Sequence, residues 1–134
     1  TDLGDTSGML MGGVALDAKQ NLIAMVGTEV DGPGALESAT VAKLVGVTGV
    51  ELGRKGFDDH LVREYAQVVD DHTIMYLRKG PFENQTTDVV YLDFKKGTED
   101  VLYTYAGWAH NLRVTKDKKF WILPAGDTLV VKKI

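Results

Sequence analysis

Cysteine is absent from the chain, which excludes a disulfide framework, a thiolate metal site and a cysteine nucleophile. Proline occurs only three times, at Pro33, Pro81 and Pro124, each in a stretch of turn formers that breaks one apolar segment from the next. No apolar run approaches the length needed to cross a bilayer, and no basic segment followed by an apolar core marks a signal peptide. Positive charge is also scarce. The formal net charge is −4, whereas general nucleic-acid binding relies on a clustered positive field. The small basic groups at Lys95-Lys96, Lys116 to Lys119 and Lys132-Lys133 lie beside acids or turns and read as solvated. Serine is nearly missing too: Ser7 and Ser38 are the two, and neither sits in a G-x-S-x-G elbow.

What remains is the composition of an ordinary globular protein, 44% hydrophobic and 25% charged over 134 residues, the length of one domain. Thr1 in place of methionine reads as a processed or fragmentary terminus. As an N-terminal nucleophile it lacks the buried strand such a group needs, since "DLGDT" follows it. The sequence favours the cytoplasm slightly, and an extracellular or virion setting is compatible with it.

Two apolar segments, Met9 to Leu16 and Leu22 to Val26, flank "DAKQN" and predict a hairpin. "DGPG" at 31 to 34 then stops the chain and leads into "ALESATVAKLVGVTGVELGRK", where the spacing of apolar and small residues predicts a long helix over about 35–55, closed by Arg54, Lys55 and Gly56. On that helix Ala39, Ala42, Gly46, Gly49 and Gly53 would share one face, a small-residue stripe suited to close approach by another backbone and a candidate interface. Beyond Gly56 short strands are expected at Leu61 to Val69, Thr73 to Lys79, Asp88 to Phe94, Val101 to Tyr105, Leu112 to Thr115, Phe120 to Leu123 and Thr128 to Ile134. The fold class implied is α+β over 1–134, with a mostly antiparallel sheet, one principal helix and a β-rich C-terminal half.

The triplet Asp-Asp-His occurs twice, at 58–60 and 70–72. A shared metal site would need His60 and His72 to converge, yet a strand of eight or nine residues would hold them roughly 25 to 30 Å apart. Neither triplet has the spacing of an EF-hand. Both read as turn chemistry, in which Asp accepts backbone N–H bonds. Glu64, between them, is expected in an ion pair with a lysine or arginine. The glycines at 12, 13, 46, 49 and 53 match neither a Walker A loop nor a dinucleotide fingerprint. No cofactor, metal or catalytic residue is therefore assigned.

Aromatics gather in the C-terminal half: Tyr91, Phe94, Tyr103, Tyr105, Trp108, Phe120 and Trp121. "YAGWAHN" at 105 to 111 places Trp108 and His110 beside glycine and asparagine in a loop. Tyr105, Trp108, His110 and Trp121 are the candidate ligand-binding residues, although core packing is the commoner fate of such rings.

The order of "GGVALDAKQNLIAMVG", a glycine-rich entry, a long helix and "GFDDHLVREYAQVVDDHTIMYLRKG" resembles the roadblock/LC7 family over about Met9 to Phe94. Profilin-like and longin-like domains share the same rough pattern. The resemblance implies a non-enzymatic, dimerising adaptor, a platform for small GTPases or motor complexes that associates through helix and sheet edge. The sequence thus predicts a non-catalytic protein-binding or assembly module, a homo-oligomer or a subunit among other proteins, with no nucleic-acid partner and no membrane span. Strand edges such as "TLVVKKI" are possible joints, and Lys132 and Lys133 could equally guard that edge. The competing reading is a small-ligand binder or hydrolase that uses the loop around Trp108 and His110.

Overall fold

A computed structural model describes residues 9–30, 38–59, 61–80 and 85–134. Every regular element in them is a strand: β1 Met9–Asp17, β2 Leu22–Val30, β3 Ser38–Gly46, β4 Glu51–Phe57, β5 Val62–Asp70, β6 Thr73–Lys79, β7 Thr86–Asp93, β8 Thr98–Ala106, β9 Arg113–Val114, β10 Phe120–Ala125 and β11 Thr128–Lys133. The fold is all-β, which overturns the α+β expectation and its helix over 35–55. It also removes the roadblock/LC7 resemblance, because that family is built with helices. No helix among the described residues is long and apolar enough to cross a membrane.

The physical reason for the difference lies in the segment itself. Val41, Val45, Val47 and Val50, with Thr40 and Thr48, are β-branched and lose side-chain freedom in a helix, and the interior glycines each carry a helix penalty of about 1 kcal/mol. As strands the same residues alternate. Ala42 and Leu44 are fully buried on one side, while β3 turns into β4 through Val47 to Val50, with Gly46 N donating to Val50 O at 2.8 Å. The small-residue stripe is therefore dispersed. Ala39 and Ala42 lie in β3, Gly46 ends it, Gly49 is in the turn at φ +94°, and Gly53 is in β4 with the Phe94 ring where its Cβ would be. Residues 35–37 and the "DGPG" entry fall outside the described residues.

The strands form three antiparallel sheets in which neighbours in sequence are neighbours in space, ordered β1-β2-β3-β4, β5-β6-β7-β8 and β11-β10-β9. The first strand of the second sheet, β5, approaches β1, β2 and β3 of the first sheet and β9 of the third. Up-and-down sheets that converge on their first strands and stack face to face have the blade arrangement of a β-propeller.

Two apolar layers hold the stack together. Leu22, Ala24, Val26, Ala42 and Leu44 of the first sheet meet Ala66, Val68, Ile74, Tyr76, Val90 and Leu92 of the second. On its other face the second sheet offers Val69, Met75, Leu77 and Val89 to Trp121, Leu123 and Ala125 of the third, joined by Ala109 and Leu112. Strand β6 is covered on both sides, which explains why "TIMYL" reads as a continuous apolar run rather than an alternating one.

Close approach of β1 to β5 depends on two irregularities that face each other. The β1–β2 register shifts between Met11 and Gly13, and β5 bulges between Glu64 and Gln67, with Tyr65 at φ +59°. A Cβ on Gly12 would overlap the Arg63 carbonyl oxygen, and one on Gly13 would lie 2.5 Å from Tyr65 N. A further tie spans the first and third sheets: Lys118 Nζ reaches Asp17 Oδ2 at 2.6 Å. The Lys118 ammonium, helped by Gln20 and opposed by burial, holds the Asp17 carboxyl down at about 2 against an ordinary 3.8.

Two outcomes follow from these contacts. Gly13→Ala should lower stability in urea unfolding by about 1 to 3 kcal/mol, the range for overpacking. Gly56→Ala, whose Cβ meets nothing within 4 Å, should change it by less than about 0.5 kcal/mol. For Asp17 the folded pKa lies below the unfolded one, so the unfolded chain binds more protons in between, and the stabilisation is present above about pH 4 and lost as pH falls towards 2. Wild type should therefore exceed Asp17→Asn by up to about 2 kcal/mol at pH 6, and the gap should close near pH 2.

Candidate functional site

The linker from β8 to β9, residues 107–112, is built around a buried hydroxyl. Thr87 Oγ1, on β7, donates to the Gly107 carbonyl at 2.8 Å and accepts from Ala109 N at 3.0 Å. Gly107 adopts φ +149°, and the Tyr105 ring occupies the space its Cβ would need. Ala109 and Leu112 point inward as apolar anchors. Alternation then leaves Trp108 and His110 at the surface, where they flank Lys79 at the end of β6.

Lys79 is 7% exposed, and its charge is enclosed by three groups. Its Nζ lies 2.7 Å from Glu64 Oε1, 3.0 Å from His110 Nδ1 and 5.8 Å from the centre of the Trp108 ring. An ammonium only donates, so His110 Nδ1 accepts and the proton of a neutral ring is assigned to Nε2. Glu64 is thus ion-paired as the sequence suggested, with a lysine that is buried rather than exposed. The group has a cation, a carboxylate, an imidazole and an indole, but Thr87, the nearby hydroxyl, already uses its donor and acceptor in the linker. The arrangement serves as a polar clamp that ties the linker to β6 and β5.

Three of the four candidate ligand residues meet in this region: Trp108, His110 and, beneath Gly107, the half-buried Tyr105. Trp121 does not join them at the surface. It is 1% exposed and packs against Tyr103, ring centres 5.7 Å apart. Sequence reasoning passed over Lys79 and Thr87. Their signal was position, since each is a polar residue at the linker end of an otherwise buried strand.

The opposite face of the second sheet carries a larger network. Arg63, 2% exposed, gives bidentate bonds to Asp59 at 2.7 and 2.8 Å and to Glu99 at 3.0 and 3.1 Å, with Phe57 3.5 Å beneath its guanidinium. Arg78 bonds Glu99 at 3.2 Å and Asp88 at 2.8 Å, Thr104 donates to Asp88 at 2.7 Å, and the Tyr76 hydroxyl donates to Glu99. Burial disfavours the Arg63 charge, but its bonds to Asp59 and Glu99 outweigh that and raise its pKa. Burial would likewise raise Glu99, and the bonds from Arg63 and Tyr76 hold it low instead. Burial and the Glu99 carboxylate together push the Tyr76 phenol upward. All the charges are paired, so this is a structural junction between the first two sheets.

Asp70, Asp71 and His72 bring one ligand atom each within 4.8 Å of one another, and no ion is present. The three residues form the hairpin turn between β5 and β6: Asp70 pairs with Thr73, its carboxylate accepts from His72 N at 3.0 Å, and His72 Nδ1 lies 2.8 Å from Asp71. That is the turn chemistry expected of the triplet. His60 of the other triplet, Thr1 and Ser7 fall outside the described residues.

No protein-family model matches the chain, and no curated protein does. Among solved structures it is similar to Pyrococcus horikoshii acylaminoacyl peptidase (orthorhombic crystal form), with a TM-score of 0.56 and 14% identity over 90% of this chain. The match covers 18% of the peptidase chain. At that identity the likeness speaks for the fold alone.

Breaking the Arg63 network should be costly, because removing one partner leaves a buried charge uncompensated. Arg63→Met should lose about 3 to 5 kcal/mol in urea unfolding. Lys133→Met, on the exposed last strand, should stay within about 0.5 kcal/mol.

Proposed function

We propose that this chain is a non-catalytic assembly module that self-associates by stacking its end sheets on a second copy. The single observation behind this reading is that each end sheet, besides the face buried in the stack, carries exposed apolar side chains on its other face. On the first sheet Val14 and Leu16, 49% and 63% exposed, stand opposite Met25 and Ile23, which are buried and cluster with Val45 and Val47. On the third sheet Leu129 and Val131, 61% and 51% exposed, pair with Pro124 and Ile122, on the side away from Trp121 and Leu123.

The second copy is favoured as occupant because the two end faces are of the same kind as the faces already stacked within the chain. Joining the first sheet of one copy to the third sheet of another is a heterologous contact, which gives a closed ring when its rotation closes. Two copies with three sheets each supply six, within the four to eight blades of propellers. Stacking by faces replaces the association through a helix that the all-β fold rules out.

A second reading, ligand recognition at the β8–β9 linker, rests on Lys79 held between Glu64, His110 and Trp108. It concerns a separate surface and is compatible with assembly.

Sedimentation equilibrium at micromolar concentration should return the mass of two 14.6 kDa chains. Leu16→Asp and Val131→Asp should each return one chain while keeping the β-sheet circular dichroism of the parent. A monomeric parent at about 100 μM, a concentration at which a stable interface is largely formed, would refute the proposal.

A further inference from the structure

Where β1, β5 and β9 converge, at the end of the stack that carries the β1–β2 and β9–β10 turns, they leave a cleft of about 730 Å³. We infer that this cleft binds a small amphipathic anion, an apolar body bearing a carboxylate or phosphate group. The cleft shares Leu16 with the end face of the first sheet, and its remaining lining lies at strand ends and turns, so its charged residues can be varied without touching the end faces.

Size and lining both point that way. The volume falls in the range of pockets that hold small molecules. Ala15, Leu16, Val68 and Val114 supply the apolar wall. The charged lining comprises Lys19, Arg113, Lys116 and Lys118 against Asp17 and Asp117. Four cations less two acids leave an excess of two positive charges, in a chain whose net charge is −4.

The partners of these charges sharpen the point. Asp17 is taken up by Lys118 at 2.6 Å and by Gln20. Asp117 is engaged by the Thr115 hydroxyl at 2.7 Å and by Lys119 N at 3.0 Å, inside its own turn. Both acids are therefore occupied, while Lys19, Arg113 and Lys116 have no ion pair or hydrogen bond to another side chain among the described residues. Those three cations come from two different sheets, and an oxyanion between them would be met from both sides.

The cleft is also held in shape. The Asp17–Lys118 pair braces one wall against the other, and Gln67 is fixed on the floor, its Oε1 accepting from Val114 N at 3.2 Å and its Nε2 donating to Ala66 O at 2.9 Å. The cleft walls are thus fixed before a ligand arrives, and the ordering cost of association falls on Lys19, Arg113 and Lys116.

The test is titration of the 15N-labelled protein with 2-naphthoate, with 2-naphthyl phosphate and with uncharged 2-naphthol. The expected result is saturable movement of the amides at 15–19, 67–68 and 113–118 by at least one of the two anions, with Kd below about 1 mM. The tighter anion identifies the oxyanion class, and 2-naphthol should bind at least about tenfold more weakly. Lys19→Glu combined with Lys116→Glu should weaken the anion at least about tenfold while leaving the spectrum dispersed and the sedimentation mass unchanged. Equal binding of 2-naphthol, an unaffected double variant, or no saturation by either anion at about 10 mM would each overturn the inference.

Discussion

The structure depends on how closely the first strands of neighbouring sheets can approach. At β1 and β5 the separation is that of backbone against backbone: Gly12 and Gly13 leave no side chain in the gap, and the bulge at Tyr65 moves β5 into it. Bulges bend a strand and sharpen its local twist. Here one in each strand lets two sheets converge along an inner line while their outer strands spread apart. The position of Arg63 follows from the same irregularity. It stands one residue before the bulged stretch, and its side chain lies between the sheets rather than in solvent.

Both junctions of the second sheet are built in a related way. Arg78 and Lys79 are consecutive on β6 and so face opposite sides. One joins Arg63 in the network that Asp59, in the β4–β5 linker, completes, and the other is enclosed by Trp108 and His110 of the β8–β9 linker. In each case a cation near the end of the central sheet is engaged by the segment that carries the chain to or from the next sheet. Apolar layers supply the bulk of the burial, but they are not directional. The polar clamps, whose geometry is specific, set how each linker sits.

Much of the β structure was legible in the sequence. Apolar segments and turn residues marked β1 and β2, the β5–β6 hairpin around Asp70 to His72, and the strands β10 and β11. The failure was confined to one segment with a large consequence. Between Ala39 and Gly53 small residues fall at helical offsets, but they also fit a hairpin in which Gly46 and Gly49 form the turn, and periodicity alone does not separate the two. The β-branched residues at 40, 41, 45, 47, 48 and 50 were the stronger signal. Gly12 and Gly13 were set aside because they match no phosphate motif, whereas their role is steric and involves β5, some fifty residues away. Such a partner is invisible to local pattern. The aromatic loop was legible as a loop, with Trp108 and His110 outward, but the lysine between them comes from a strand whose end is identified only once the sheets are stacked.

Among the described residues each strand exchanges its ladder hydrogen bonds only with strands adjacent in sequence, and the sheets cohere mainly through side-chain packing. A sheet is consequently the unit in which such a chain can lengthen or shorten. Duplicating or deleting one four-stranded meander rewires no backbone ladder and asks only that two apolar faces and a linker clamp match. The growth of this architecture is a problem of face compatibility rather than of strand pairing.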